Sequence, residues 1–151
     1  MVHVRDPRQA IHSLEHHFQR YTWQMTKDMK NFYSEMTLSE KHDYMIMEWL
    51  PGQIQWISRW ANAKERIDVR FTTFEKFMSN RDGFIDTILE NYGGDTAYFD
   101  KSTIYEFGEG VDTHFRSGQT DEWRGIFAAA QINRMNELIP ENFWNLFHWS
   151  P

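Results

Sequence analysis

The stretch "VHVRDPRQA", Val2 to Ala10, narrows the folds open to this chain more than any other. Val2 and Val4 alternate with His3, the period-two pattern of a strand. Asp6 then suits a helix N-cap, and Pro7 suits the first helical position. A strand that hands over directly to a helix is half of a β-α-β unit. "RIDVRFTTF" supplies a second strand, with Ile67, Val69, Phe71 and Thr73 on one face. A short amphipathic helix over "SNRDGFIDTILENYGG" follows it, with Gly93 as C-cap glycine. Two strand-helix units predict parallel neighbours in an α/β sheet. A parallel sheet of two strands is rarely a whole sheet. Because the first strand begins at residue 2, the chain reads as the C-terminal part of something longer, folded as one domain over 1–151.

Most of the chain reads as helix. Ile11, Leu14, Phe18, Tyr21, Met25, Met29 and Phe32 recur at helical spacing after Asp6. A break is expected near Ser34 to Ser39, and Thr37 with Glu40 predicts a capping box for the next helix. Pro51 ends or restarts that helix, and "IQWISRWANAK" continues as another. A polar, glycine-bearing loop is expected from Gly94 to about Thr120. The last helix carries Trp123, Ile126, Phe127, Ala130, Met135 and Leu138 and stops at Pro140. The aromatic tail "ENFWNLFHWSP" is expected to pack back onto the body.

Charge and composition set the classes of partner. The chain carries 22 acidic and 16 basic residues, a net charge of −6. That argues against coating nucleic acid, which calls for a basic excess. It leaves room for a small anion held by a few local arginines. With no cysteine there is no disulfide framework and no thiolate chemistry, which suits a cytoplasmic setting. No apolar run approaches ~20 residues, so no membrane partner is expected.

Two places invite chemistry. Arg5 leaves the end of the first strand where a helix begins, and crevices beyond strand C-termini are where α/β sheets take ligands. A helix N-terminus there offers free N–H groups, and an arginine adds a fork that fits phosphate. Its structural alternative is a capped helix with Arg5 paired to a surface carboxylate. In "HFRSGQTDEWRGIF", Arg116, Ser117 and Gly118 suit a turn whose backbone N–H groups line an anion site. The alternative there is a loop that caps the last helix, with Trp123 as a core anchor. "HSLEH", His12 to His16, matches the inverted zinc-peptidase spacing. It has no further carboxylate ligand in view, and no metal site is expected. The methionines and tryptophans at 45, 47, 49, 56 and 60 read as core, with a minority lining an apolar pocket.

Taken together, the pieces resemble the PAPS-dependent sulfotransferases. "VRDPRQAIHS" is similar to that family's strand-to-helix segment, in which an Arg and a Ser two turns on bind the 3′-phosphate; Arg5 and Ser13 match. "RSGQTDEWR" resembles the family's R-K-G-x-x-G-D-W-K segment. Arg116, Gly118 and Trp123 match, Arg124 stands for the Lys, Glu122 for the Asp, and Ser117 replaces a Lys. "VRFTTFEKF" resembles the strand that reads Y-E-D-L in many members. Phe74 stands at the Tyr, Glu75 at the Glu and Phe77 at the Leu. The three motifs occur in the family's order across essentially the whole chain.

The resemblance implies the C-terminal part of a P-loop-type sulfotransferase fold. It implies transfer of a sulfuryl group from PAPS to a hydroxyl or amine on a small molecule or glycan. It assigns cofactor contacts to Arg5, Ser13, Phe74, Arg116, Ser117 and Gly118. The family's 5′-phosphosulfate loop and usual catalytic His lie upstream of the Arg-Ser segment, so this chain is expected to be inactive alone. "FDKST" lacks the preceding strand and glycines and is no substitute for that loop. A non-catalytic helical binding module and another nucleotide-using α/β enzyme, such as a kinase relative, are the alternatives. A sheet without its partners would leave Val2, Val4, Val69 and Phe71 exposed. A homo-oligomer is therefore expected.

Overall fold

The first strand is three residues long because Asp6 ends it. The Asp6 carboxylate accepts from the Arg8 N–H at 2.9 Å, and Pro7 follows inside the first turn, so the chain leaves Val4 already committed to a helix. The computed structural model describes residues 1–21, 26–95, 98, 100–101 and 118–151. Within them lie β1 (Val2–Val4), α1 (Pro7–Arg20), α2 (Lys27–Glu35), α3 (Leu38–Glu48), α4 (Leu50–Ala63), β2 (Phe71–Thr73), α5 (Phe74–Ser79) and α6 (Arg81–Asn91). The C-terminal region adds α7 (Trp123–Ile126), α8 (Ala129–Leu138) and α9 (Glu141–Phe147). Among the described residues the fold is mostly helical with two parallel strands, a mixed α/β class.

β1 and β2 pair in parallel with Val2 opposite Phe71, His3 opposite Thr72 and Val4 opposite Thr73. The second strand is shorter than its sequence pattern suggests. Backbone bonds carry the end of α4 through Arg66 and Ile67, whose N–H groups both donate to the Ala63 carbonyl. Ile67 is therefore outside the ladder and exposed. At the other end, the Thr73 hydroxyl accepts from the Lys76 N–H, and α5 starts at Phe74. With β1 only three residues long, the ladder has three rungs.

Several helix boundaries follow from local chemistry. The expected first helix is divided: α1 ends at Arg20, and Thr26 caps α2 through the Met29 N–H. Met25, placed in that stripe from the sequence, lies outside the described residues. Thr37 and Glu40 form the expected capping box on α3, with the Thr37 N–H donating to Glu40 at 2.8 Å. Those bonds hold the Glu40 carboxyl below the usual carboxylate range. Pro51 restarts the chain as α4. Gly93 closes α6 with φ of 72°, in the left-handed region. The last helix is interrupted at Phe127 and Ala128, both extended, and Gln131 accepts the Ala128 N–H at 3.0 Å. The interruption turns Phe127 inward, where it is buried beside His42.

The core is built around α1. Ile11, Phe18, Met45, Ile46, Leu50 and Met135 are buried together, with α1 packed on α3, α4 and α7, and α8 on α3 and α4. The tail packs back as its aromatic content suggests. Phe143, Phe147 and Trp149 are buried, and Phe147 meets Phe71 of β2 at 5.2 Å between ring centroids. Burial of side chains this size is worth about 1.5–3 kcal/mol each, enough to make the tail part of the core. The same packing corrects one expectation. Val2, Val4 and Val69 are buried within the single chain, and Phe71 is half-buried, because the helices and the tail already cover that face. On the opposite face His3 meets Phe84 of α6 and bonds Thr72 at 3.0 Å.

Candidate functional site

The register of the two strands decides which residues meet beyond them. Val4 lies opposite Thr73, so the next positions, Arg5 and Phe74, emerge side by side at the C-terminal end of the sheet. The Arg5 guanidinium carbon sits 4.2 Å from the centroid of the Phe74 ring. That distance is a cation–π contact. Arg5 Nη2 also donates to the Gln119 carbonyl at 3.3 Å. Gly118, directly before Gln119, has φ of 70°, a conformation that glycine adopts without strain.

Arg5, Phe74 and the Gly118–Gln119 turn are thus brought together from three distant parts of the sequence. Ser13 lies half-buried on α1, six residues after Pro7 and so about 9 Å further along the helix axis. Arg116 and Ser117 lie outside the described residues. A cleft of about 400 Å³ opens beside Arg5, lined also by His3, Val4, Trp49, Gln53 and Trp56. Burial lowers the His3 pKa from its ordinary value of 6.5.

Arg8, in the first turn of α1, has a different place. It is completely buried. Its guanidinium binds Asp6 twice, through Nε to Oδ1 at 3.0 Å and Nη2 to Oδ2 at 2.6 Å. It donates further to Asn136 Oδ1 and to the Ser150 carbonyl, each at 2.8 Å. It also lies over Trp123 at 3.8 Å and Trp144 at 5.0 Å. Arg124 reaches the same tail segment, donating to Ser150 Oγ at 2.7 Å and to the Ser150 and Pro151 carbonyls. Arg124 is therefore engaged with the C-terminal tail, where the sequence pattern placed it at a cofactor Lys position. Trp123 is a core anchor, as the structural alternative had it.

Sequence reasoning passed over Arg8, and also Gln9, which is equally buried. Gln9 accepts the Trp123 N–H at 3.2 Å and donates to Glu122 at 2.9 Å. The available signal was helical spacing: Arg8 shares its face of α1 with Ile11, Glu15 and Phe18, all of them buried. Glu75 is a further member of the network. It accepts the Asp6 N–H at 2.9 Å and the Trp149 indole N–H at 3.3 Å.

The residues of the zinc-like spacing are engaged elsewhere. His12 stands 3.9 Å from Glu122 and edge-on to His16, and Glu15 accepts from Gln19. Among the described residues no cluster of three or more histidines and carboxylates is arranged to hold a metal ion. Lys101, from the "FDKST" segment, pairs with Asp86 at 2.6 Å. Among the described residues no helix is long and apolar enough to cross a membrane.

Comparison with known proteins returned nothing: no family profile, no curated protein and no solved structure matches the chain.

Proposed function

We propose that the chain is the 3′-phosphate and adenine side of a sulfotransferase cofactor site, made to hold PAPS or its product adenosine 3′,5′-bisphosphate. One observation carries this reading. Arg5 at the strand end, Phe74 at the start of the helix after the second strand, and the turn at Gly118 converge on one point. These are the three segments in which the family's motifs are matched. Convergence of three separately matched segments is more than any one motif supplies.

The residues in hand suit the nucleotide in part. Arg5 presents a guanidinium that lies on an aromatic ring and makes a long bond to a carbonyl, which a phosphate oxygen can replace with a stronger charge-assisted one. Arg116, Ser117 and Ser13 would complete the phosphate contacts by the resemblance. Arg5 covers one face of Phe74, so adenine stacking falls to the other face. When bound, PAPS supplies the sulfuryl group. No residue of this chain is assigned to its transfer, and the acceptor, small molecule or glycan, is not specified by the groups present.

Calorimetry tests the reading. Adenosine 3′,5′-bisphosphate is expected to bind more tightly than 5′-AMP, and Arg5→Ala to weaken it by about 1.5–3 kcal/mol, the range for a hydrogen bond to a charged group. The chain alone is expected to give no PAPS-dependent sulfation of phenols, alcohols or amines. Equal affinity for the two nucleotides would sink the phosphate site and return the chain to a helical binding module.

A further inference from the structure

We propose that Glu75 is a positioning residue for the candidate nucleotide site: its carboxylate locks Arg5 against Phe74 and couples that pair to the docking of the C-terminal Trp149. The inference rests on the function proposed above. It starts from the strand register. The last rung of the ladder joins Val4 to Thr73, and beyond it the two chains turn into separate helices. Arg5 and Phe74 occupy the first positions past the rung, where no ladder bond fixes their spacing. Asp6 and Glu75 occupy the next. The Asp6 N–H donates to Glu75 Oε1 at 2.9 Å, a side-chain bond that continues the strand pairing one step past the Arg5–Phe74 contact.

The second carboxylate oxygen looks the other way. Glu75 Oε2 accepts the Trp149 indole N–H at 3.3 Å. Trp149 is buried against Phe147, and the following carbonyl, that of Ser150, takes bonds from both Arg8 and Arg124. Both donors on Glu75 are N–H groups, and each is met by a different oxygen of the carboxylate, so a side chain with an acceptor at both ends of the group satisfies them in this placement. Glutamine serves one donor and turns an N–H toward the other. The tail thus sets the position of Glu75, and Glu75 sets the spacing of Arg5 and Phe74.

The test compares Glu75→Gln, Trp149→Phe and the double variant, each checked for folding by circular dichroism. Two readouts are made. The first is the ring-current shift that the Phe74 ring imposes on the Arg5 side-chain protons, measured by NMR without ligand. The second is affinity for adenosine 3′,5′-bisphosphate. Glu75→Gln is expected to reduce the ring-current shift and to weaken the nucleotide by about five- to tenfold, less than the loss of a direct bond to a charged group, because Glu75 acts through Arg5 and does not touch the ligand. In the double variant the introduced glutamine keeps its oxygen for Asp6 and meets no indole N–H. Part of the shift and affinity should therefore return, a non-additive result that a merely structural role does not give. Unchanged ring-current shift in a folded Glu75→Gln protein overturns the proposal, as does strict additivity. If Glu75→Gln does not fold, Trp149→Phe alone decides: retention of the full shift and affinity counts against the coupling. If the native chain binds neither nucleotide, the proposed function falls, and the ligand-free shift still decides the role of Glu75.

Discussion

The Arg8 guanidinium carbon lies 3.8 Å from the centroid of the Trp123 ring, in the interior of the protein. Charge at that depth is tolerated because every arm of the fork is used: Asp6 twice, Asn136, and the Ser150 carbonyl. The pairing joins the first helix to the short helix at Trp123 and to the C-terminal tail. It makes the N- and C-terminal segments one unit, and it leaves Arg5, three residues earlier, half-buried over Phe74.

Removing Arg8 should therefore be severe. Arg8→Met keeps some volume but leaves Asp6 charged and buried, and a broken buried pair costs about 3–5 kcal/mol. Arg8→Lys keeps the charge and loses the bidentate fork, so its stability should fall between those of Arg8→Met and the native chain. Urea denaturation measures both. A loss below about 1 kcal/mol for Arg8→Met would mean that the network contributes little beyond its packing.

Part of this was legible in the sequence and part was not. Asp6-Pro7 announced its helix because an N-cap and a proline act locally, and Thr37 with Glu40 announced theirs for the same reason. Parallel pairing followed from each strand being succeeded by a helix. The length of β2 was not legible: Ile67 and Val69 fit a strand pattern, but only three residues of β1 are available to pair with them. Phe127 fits a continuous helical stripe, yet burying it beside His42 interrupts the helix. The arginines divided in a way that pattern alone does not give. Arg5 and Arg8 are both near a helix start, and only the tertiary placement of Trp123 and Ser150 makes Arg8 fully buried while Arg5 is half-buried. Arg116 and Ser117 lie outside the described residues, so that half of the site still rests on the resemblance.

Gly118 should be the least replaceable residue of its turn. Its φ of 70° costs an L residue about 1–2 kcal/mol. Gly118→Val is expected to lose nucleotide affinity, because a strained turn no longer holds its backbone N–H groups toward the phosphate. Gly118→Asn should lose less, because asparagine tolerates the left-handed region. Calorimetry on the two variants checks the order; equal affinity for Val, Asn and Gly at this position would show that the turn plays no part.

Stability should fall in mild acid. Burial lowers the His42 pKa from its ordinary value of 6.5, with Glu15 and Asp43 opposing that shift and His16 adding to it. The unfolded chain then takes up a proton that the folded chain refuses. The contribution is full above 6.5 and is lost as pH falls below that value toward and through the lowered one. His3 is shifted in the same direction by burial. Urea midpoints at about pH 7.5 and about pH 5.5 should differ, and His42→Gln should reduce the difference without abolishing it. A midpoint that rises on acidification would contradict the assignment.

Self-association is expected at the edge of β1 away from β2, though not for the reason the strand residues first suggest. Val2 and Val4 are already covered, so an uncovered sheet face does not drive it. Two other features remain. β1 pairs only with β2 among the described residues, which leaves its other side without a ladder partner there. At the start of both strands opens a cleft of about 440 Å³, where Met1, Val2, Trp56, Trp60, Ile67 and Val69 line it beside His3 and Asp68. Trp56 is 48% exposed and Ile67 56%, so apolar side chains are accessible in that cleft. Exposed edges recruit strands, and apolar patches beside them stabilise the pairing. A two-fold arrangement places both edges and both patches in one contact. Light scattering at micromolar concentration should give a dimer or larger species. Trp56→Glu with Ile67→Glu, both exposed positions, should return it to the monomer mass with its helical circular-dichroism signal intact. A native chain that is already monomeric under these conditions would rule the contact out.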